Sequence, residues 1–289
     1  MGLKNYLSLV KFSHTIFALP FAMVGFFLAV SQPQYSFKWI LLLLVVLCMV
    51  FARNAAMAFN RWLDQDIDAK NARTAVREIP SGVIKSKNVL WFVILNSLAF
   101  ITTTYFINFL CFLLSPVALL VILGYSYTKR FTALCHVVLG VGLGLAPVGA
   151  YLAVTGVFDI IPILFGIAVL FWVAGFDIIY ALQDFEFDKN LELHSTPVWL
   201  GKNKALNLSN LFHLISMIAI SSAVYLVVQS NPQMGILLWV GLVLFILLLV
   251  YQHTLVKADD LSKVNLAFFT TNGIASFLFG AIFVLDVYL

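Results

Sequence analysis

With 289 residues, of which 62% are hydrophobic and only 10% charged, and a mean hydropathy of +1.01, the chain is far too apolar for a soluble domain, where about a quarter of residues carry charge. The composition is that of a polytopic membrane protein. Its three cysteines, Cys48, Cys111 and Cys135, lie in or beside apolar segments without paired spacing, which suggests neither a disulfide framework nor a zinc site.

The first eleven residues run into a long apolar segment with no small-residue cleavage site, so no removed signal peptide is expected. Apolar runs of about 20 residues, the length that crosses a bilayer, fall at 13–31, 39–59, 89–107, 109–125, 134–154, 160–181, 207–229, 234–256 and 265–288. The expected fold is all-α, with nine transmembrane helices forming one domain over 1–289. Only the Ile107-Asn108 region marks the boundary between the third and fourth spans, which predicts a tight antiparallel pair.

Span two leads into Asn60-Arg61-Trp62-Leu63-Asp64-Gln65-Asp66-Ile67-Asp68. On a helix Asn60, Asp64 and Asp68 share one face, while Asp66 points to the opposite side. Hard oxygen donors in one column suit Mg²⁺, which keeps some waters and completes its shell with substrate phosphate oxygens. The alternative is a solvated loop in which these acids balance Lys70, Arg73 and Arg77.

In span five, Gly140, Gly142, Gly144, Pro147 and Gly149 form a small-residue run that predicts close helix packing or a kink, with cavity lining as a secondary role. Span six ends in a second acidic stripe. Asp177, Tyr180, Asp184 and Asp188 recur at i, i+3, i+7 and i+11, again one face. Asp177 lies about two turns deeper than Asp184, and an ionisable residue at membrane depth is by default a functional candidate. Two acidic stripes leaving the same membrane face hint at an internal duplication.

Of the 17 basic residues, 15 fall in the N-terminal tail or in the loops after spans two, four, six and eight. Lysine and arginine collect in cytoplasmic loops, so the N-terminus is expected in the cytoplasm, the C-terminus outside and the site on the cytoplasmic side. Arg53 lies inside span two, where a buried arginine needs an anionic partner.

Four motifs together carry a family resemblance: the two acidic stripes, the loop Arg73-Thr74-Ala75-Val76-Arg77-Glu78-Ile79-Pro80-Ser81-Gly82, and Tyr125-Ser126-Tyr127-Thr128-Lys129-Arg130 after span four. In this order they resemble the motifs of the UbiA-type membrane prenyltransferases. The resemblance implies helices around a central cavity, open to lipid on one side and capped by cytoplasmic loops. It also implies transfer of a prenyl group from a polyprenyl diphosphate to an aromatic acceptor in quinone biosynthesis, in a bacterial inner membrane. One Mg²⁺ would sit at Asn60, Asp64 and Asp68 and another at Asp184 and Asp188. Lys129, Arg130, Arg73, Arg77, Arg53 and Tyr125 would hold the diphosphate, although the basic loop residues are equally read as membrane-side anchors. Asp177 would hold or deprotonate the acceptor hydroxyl, or else partner Arg53 or Tyr180. No nucleic acid and no obligatory protein partner is expected.

Two departures bear on the acceptor. Arg61 stands where the family often has Asp, and span one opens Lys11-Phe12-Ser13-His14 before Pro20. Both look like a bacterial subgroup often described as acting on 4-hydroxybenzoate but including enzymes that prenylate a dihydroxynaphthoate in the futalosine route to menaquinone; both acceptors stay open. His14 is read as an acceptor-carboxylate contact or a packed residue, and His194 as a polar cap over the site. His136, His213 and His253 have no partner spacing and receive no role. A transporter with acidic cytoplasmic gates is the reading from another class; the lack of ionisable residues through the outer halves of the spans argues against it.

Overall fold

The computed structural model describes residues 3–10, 17–231 and 234–289; His14 lies outside the described residues. All regular elements described are helical. The α-helices in chain order are α1 (Leu3–Leu9), α2 (Leu19–Val30), α3 (Trp39–Leu63), α4 (Gln65–Lys70), α5 (Ser86–Tyr105), α6 (Phe109–Thr128), α7 (Cys135–Thr155), α8 (Ile160–Ala181), α9 (Phe185–Asn190), α10 (Thr196–Leu200), α11 (Lys202–Ser230), α12 (Ile236–Leu255) and α13 (Asn272–Tyr288), with a 3-10 turn, Leu182–Asp184, after α8 and a π-helix, Leu266–Thr271, leading into α13. Eight helices among the described residues are long and apolar enough to cross a membrane, and α2, with 12 residues, is a shorter apolar helix in the place of the first span. The opening residues of the expected span 13–31 fall outside those described.

Spans that follow one another in the chain pack as neighbours, and α13 returns to pack on α2 and so closes a ring. Polar caps set the turns. Asn108 accepts from Cys111 N (2.8 Å) to start α6 and donates its amide to Leu152 O (2.8 Å) on α7, which makes the expected tight joint between α5 and α6. Asp159 starts α8 by accepting from Ile161 N (2.8 Å). With no water in a bilayer core, such groups need internal partners.

The glycine run on α7 divides between its two predicted roles. A Cβ at Gly140 would overlap the Leu170 carbonyl and one at Gly144 that of Gly166, so α7 and α8 touch backbone to backbone. Gly142 and Gly149 line the central cavity instead. On the far side of α8 the core is aromatic, with Phe21, Trp172, Phe245 and Phe279 in mutual contact.

A buried polar thread crosses that core. Trp172 Nε1 donates to Asn272 Oδ1 (2.8 Å), Asn272 Nδ2 donates to Gln252 Oε1 (3.1 Å), and His213 Nδ1 meets His253 Nε2 (2.6 Å). His213 and His253, which have no sequence-local partner, therefore tie α11 to α12. Satisfied polar groups of this kind fix register between apolar helices.

Candidate active site

A cavity of about 1190 Å³ lies between α3, α6, α7 and α8. One end is lined by Asn60, Asp64, Asp68, Arg73, Arg77, Lys129, Asp184 and Asp188; away from it the walls are apolar, formed by residues such as Val121, Ile122, Leu139 and Leu143. Val117 and Phe158 belong to the lining yet are 59% and 58% exposed. The cavity thus reaches the apolar outer surface of the bundle.

Both acidic stripes are built on the same local device. α3 stops at Asp64, whose backbone (φ −92°, ψ 7°) leaves the helical region before α4 starts. α8 passes through a tight turn, Leu182–Asp184, and Asp184 has nearly the same backbone (φ −96°, ψ 7°) before α9 starts. The stripes were expected on continuing helices. Each is instead broken at its central aspartate and resumes as a six-residue helix. The one-face prediction survives because the chain stays close to helical register: Asp68 N donates to Asp64 O at 2.8 Å. Asp64 and Asp68 are buried in the lining while Asp66 is exposed.

Three of these carboxylates, Asp64, Asp68 and Asp184, are paired with cations. Asp64 meets Lys129 Nζ at 2.5 Å and Arg130 Nη1 at 2.9 Å, and its Oδ2 accepts from Asn60 Nδ2 at 3.3 Å. Asp68 meets Arg77 Nη1 at 2.6 Å. Asp184 is held at both oxygens by Arg73, through Nε (3.2 Å) and Nη2 (2.5 Å), and Arg73 Nη1 also donates to Tyr180 Oη (3.0 Å). Burial disfavours the charge on Arg73, but Asp184 and Tyr180 outweigh it and hold its pKa above the ordinary value.

Two expectations change in detail. Arg130 was grouped with the diphosphate ligands, yet it is not among the lining residues. Its guanidinium also donates to Leu63 O (3.0 Å) and Ser126 O (3.2 Å), so it clamps the end of α3 to α6. Asp177 was offered Arg53 or Tyr180 as partners. Tyr180 belongs to Arg73, Arg53 donates to Val10 O (3.4 Å), and Asp177 Oδ2 pairs with His136 Nδ1 at 2.7 Å.

His136, on α7, is the residue that sequence reasoning missed. Its Nε2 accepts from Thr196 N at 3.4 Å, which leaves Nδ1 as the nitrogen that donates to Asp177. Forty-one positions separate the two side chains, so no local spacing joins them; the only available signal is that a histidine within an apolar span needs a polar partner. Tyr125 and Arg53 line the cavity as well. His194 is exposed and lies outside the lining; its backbone N donates to Lys129 O at 2.7 Å.

The donor set suits a divalent metal of one kind. Among the described residues no three His, Cys, Asp or Glu side chains converge into a closed protein cage. Two carboxylates at each break, one of them with an amide alongside, instead fit an oxygen-liganded ion that takes the rest of its shell from water and phosphate. Asp68 Oδ2 is buried and accepts no hydrogen bond, which leaves lone pairs open to such an ion.

A multi-pass helical bundle whose lipid-reaching apolar cavity ends in paired carboxylates and basic side chains is the architecture of a membrane prenyltransferase. The chain belongs to the UbiA prenyltransferase family, whose model matches residues 18–274. It is 29% identical over 245 residues, 84% of each chain, to a protein of Aliivibrio salmonicida (strain LFI1238) named 4-hydroxybenzoate octaprenyltransferase. Its fold matches the apo structure of a UbiA homolog from Aeropyrum pernix K1 with a TM-score of 0.83 at 30% identity, covering 94% of this chain and 98% of that one. It also matches a UbiA homolog from Archaeoglobus fulgidus, solved bound to DMAPP and Mg²⁺, with a TM-score of 0.74 at 22% identity and 99% coverage of each.

Proposed function

We propose that this protein transfers a polyprenyl group from polyprenyl diphosphate to a hydroxylated aromatic acid of the 4-hydroxybenzoate type, as a step in quinone biosynthesis, with Mg²⁺ as cofactor. The observation that carries this reading is the polarity of the central cavity: an apolar volume that reaches the outer surface and ends at Asp64, Asp68, Asp184 and Asp188 with Lys129, Arg73 and Arg77 among them. A polyprenyl diphosphate has that same division between insoluble tail and charged head. The name of the Aliivibrio relative and the DMAPP and Mg²⁺ in the Archaeoglobus homolog point the same way.

Asn60, Asp64 and Asp68 on one side and Asp184 and Asp188 on the other are the residues we assign to metal. An Mg²⁺ ion held there would supply the positive charge that offsets the charge on a departing diphosphate. Lys129, Arg73 and Arg77 give charge-assisted hydrogen bonds to the same oxygens, Tyr125 and Arg53 line the cavity beside them, and Arg130 acts by fixing Asp64. Asp177 holds the acceptor hydroxyl and takes its proton, with His136 fixing the rotamer of the carboxylate. The positive-inside distribution supports a cytoplasmic N-terminus and a cytoplasmic site in a bacterial inner membrane, with the whole chain working as one domain.

The test is an assay of purified protein with labelled polyprenyl diphosphate, Mg²⁺ and a panel of aromatic acceptors, the product identified by mass. Prenylated 4-hydroxybenzoate supports the reading, and a prenylated dihydroxynaphthoate moves it to the menaquinone route. Label retained in the diphosphate with every acceptor overturns it.

A further inference from the structure

Arg61 lies on α3 between Asn60 and Asp64 in depth, and its side chain is only 7% exposed. It lines the cavity, yet its Nε and Nη1 are buried and donate no hydrogen bond. The nearest carboxylate oxygen, Asp68 Oδ2, is 4.0 Å from Nη1, beyond hydrogen-bond reach. Asp68 is in any case already engaged at its other oxygen by Arg77 at 2.6 Å. Glu78, also in the lining, accepts from Ser8 Oγ at 2.6 Å and forms no ion pair with Arg61.

A guanidinium cannot shed its proton to escape burial, and leaving its N–H groups without acceptors in a low-dielectric setting is strongly unfavourable. Arg61 is therefore set up to receive an anion from the cavity it faces. The surrounding charge agrees: Lys129, Arg130, Arg77 and Arg61 outnumber the carboxylates near them, which are Asp64, Asp68 and, engaged by Ser8, Glu78. Arginine is the residue suited to this task, because its planar fork binds carboxylate or phosphate oxygens in pairs while lysine offers a point charge.

We propose that Arg61 is a substrate-oxyanion ligand, holding either a phosphate oxygen of the prenyl donor or the carboxylate of the aromatic acceptor. The inference rests on the functional reading above for which oxyanions enter the cavity. Its test compares the wild-type protein with Arg61→Lys, which keeps a charge beside Asp68 but loses the fork, and with Arg61→Gln. Two quantities are measured: binding of inorganic pyrophosphate with Mg²⁺, and the ratio of kcat/KM for 4-hydroxybenzoate to that for its neutral methyl ester. A donor contact lowers pyrophosphate affinity by about tenfold in Arg61→Lys and leaves the ratio alone. An acceptor contact leaves pyrophosphate binding alone and brings the ratio about tenfold closer to unity.

If both quantities in folded Arg61→Lys stay within about twofold of wild type, Arg61 is only a counter-ion for Asp68 and the inference fails. Failure of the functional reading looks different, since the wild-type protein would then turn over neither acceptor, while the pyrophosphate arm would still report on Arg61.

Discussion

The two acidic breaks share a backbone and differ in everything around it. Asp64 and Asp184 have the same φ and ψ to within a few degrees, and each is followed by an exposed acid and then a second lining carboxylate, Asp66 and Asp68 in one case, Glu186 and Asp188 in the other. The first break is sealed, with Asp64 and Asp68 side chains 3% and 5% exposed and cations arriving from α3, from the turn just after α6 and from the loop after α4. The second is open. Asp184 is 21% exposed and pairs with Arg73, itself 37% exposed. Arg73 belongs to the loop that follows α4, so the first half of the chain supplies the counter-ion of the second.

Buried pairs and exposed pairs behave differently when one partner is removed, because an uncompensated charge is costly only where water cannot reach it. The first break is thus a preorganised anchor. The second is a partly exposed carboxylate held by a partly exposed arginine.

Removal of metal should erase the difference between the breaks. Activity should vanish in excess chelator and return with Mg²⁺ or Mn²⁺, since both breaks present hard oxygen donors; full activity in chelator would remove metal from both. Next in size, Asp64→Ala and Asp184→Ala should each lower turnover by at least about a hundredfold if each break stabilises the leaving group. Thermal unfolding in detergent should then separate them. Asp64→Ala leaves Lys129 and Arg130 facing each other over a buried gap and should lower Tm clearly more than Asp184→Ala does. Equal shifts in Tm would mean that the contrast in burial has no energetic content.

The parts of this site that a reader of the sequence can see are those written in short spacings. Asn60, Asp64 and Asp68, and Asp177, Tyr180, Asp184 and Asp188, repeat at helical intervals, so their shared faces are legible without coordinates. The spans are legible for the same reason, since their signal is a local run of apolar residues. The breaks at Asp64 and Asp184 are not, because a helix that pauses for one residue and resumes in register leaves the periodicity unchanged. Contacts between helices are the other blind spot. The Lys129 and Arg130 pairs with Asp64 and the His136 pair with Asp177 join residues on different spans, and the hydrogen bonds by which Arg130 ties Leu63 O to Ser126 O become visible only once the two helices are seen side by side.

His136 supplies a smaller effect that asks whether the second half has an anchor of its own. Asp177→Asn should lower transfer by at least about a hundredfold, since an amide cannot take the phenolic proton, while Mg²⁺-dependent binding of polyprenyl diphosphate stays near wild type. His136→Gln should lower kcat by about tenfold through misplacement of a carboxylate that is still present, with donor affinity again unchanged. A loss of donor affinity in Asp177→Asn as large as that in Asp184→Ala would move Asp177 into the metal site, and wild-type kcat in His136→Gln would leave the histidine as packing alone.

The smallest expected effect is the one that tests the geometry of both breaks at once. Asp66 and Glu186 occupy the same place, two residues past the central aspartate, and both are exposed and absent from the cavity lining. They carry the same charge as the lining acids and sit within one helical turn of them. If proximity in sequence or bulk negative charge near the membrane face were what mattered, their removal would hurt as much as removal of Asp68 or Asp188. If the one-face arrangement matters, the double variant Asp66→Ala, Glu186→Ala should keep kcat/KM within about twofold of wild type, the range of an exposed charge screened by solvent, and any residual effect should fade as salt is raised. Asp68→Ala and Asp188→Ala, made in the same background, should each lose far more. A double variant as impaired as either would show that the short helices after Asp64 and Asp184 do not hold their acids on a single face during turnover, and the likeness between the two halves of the site would then be one of backbone only.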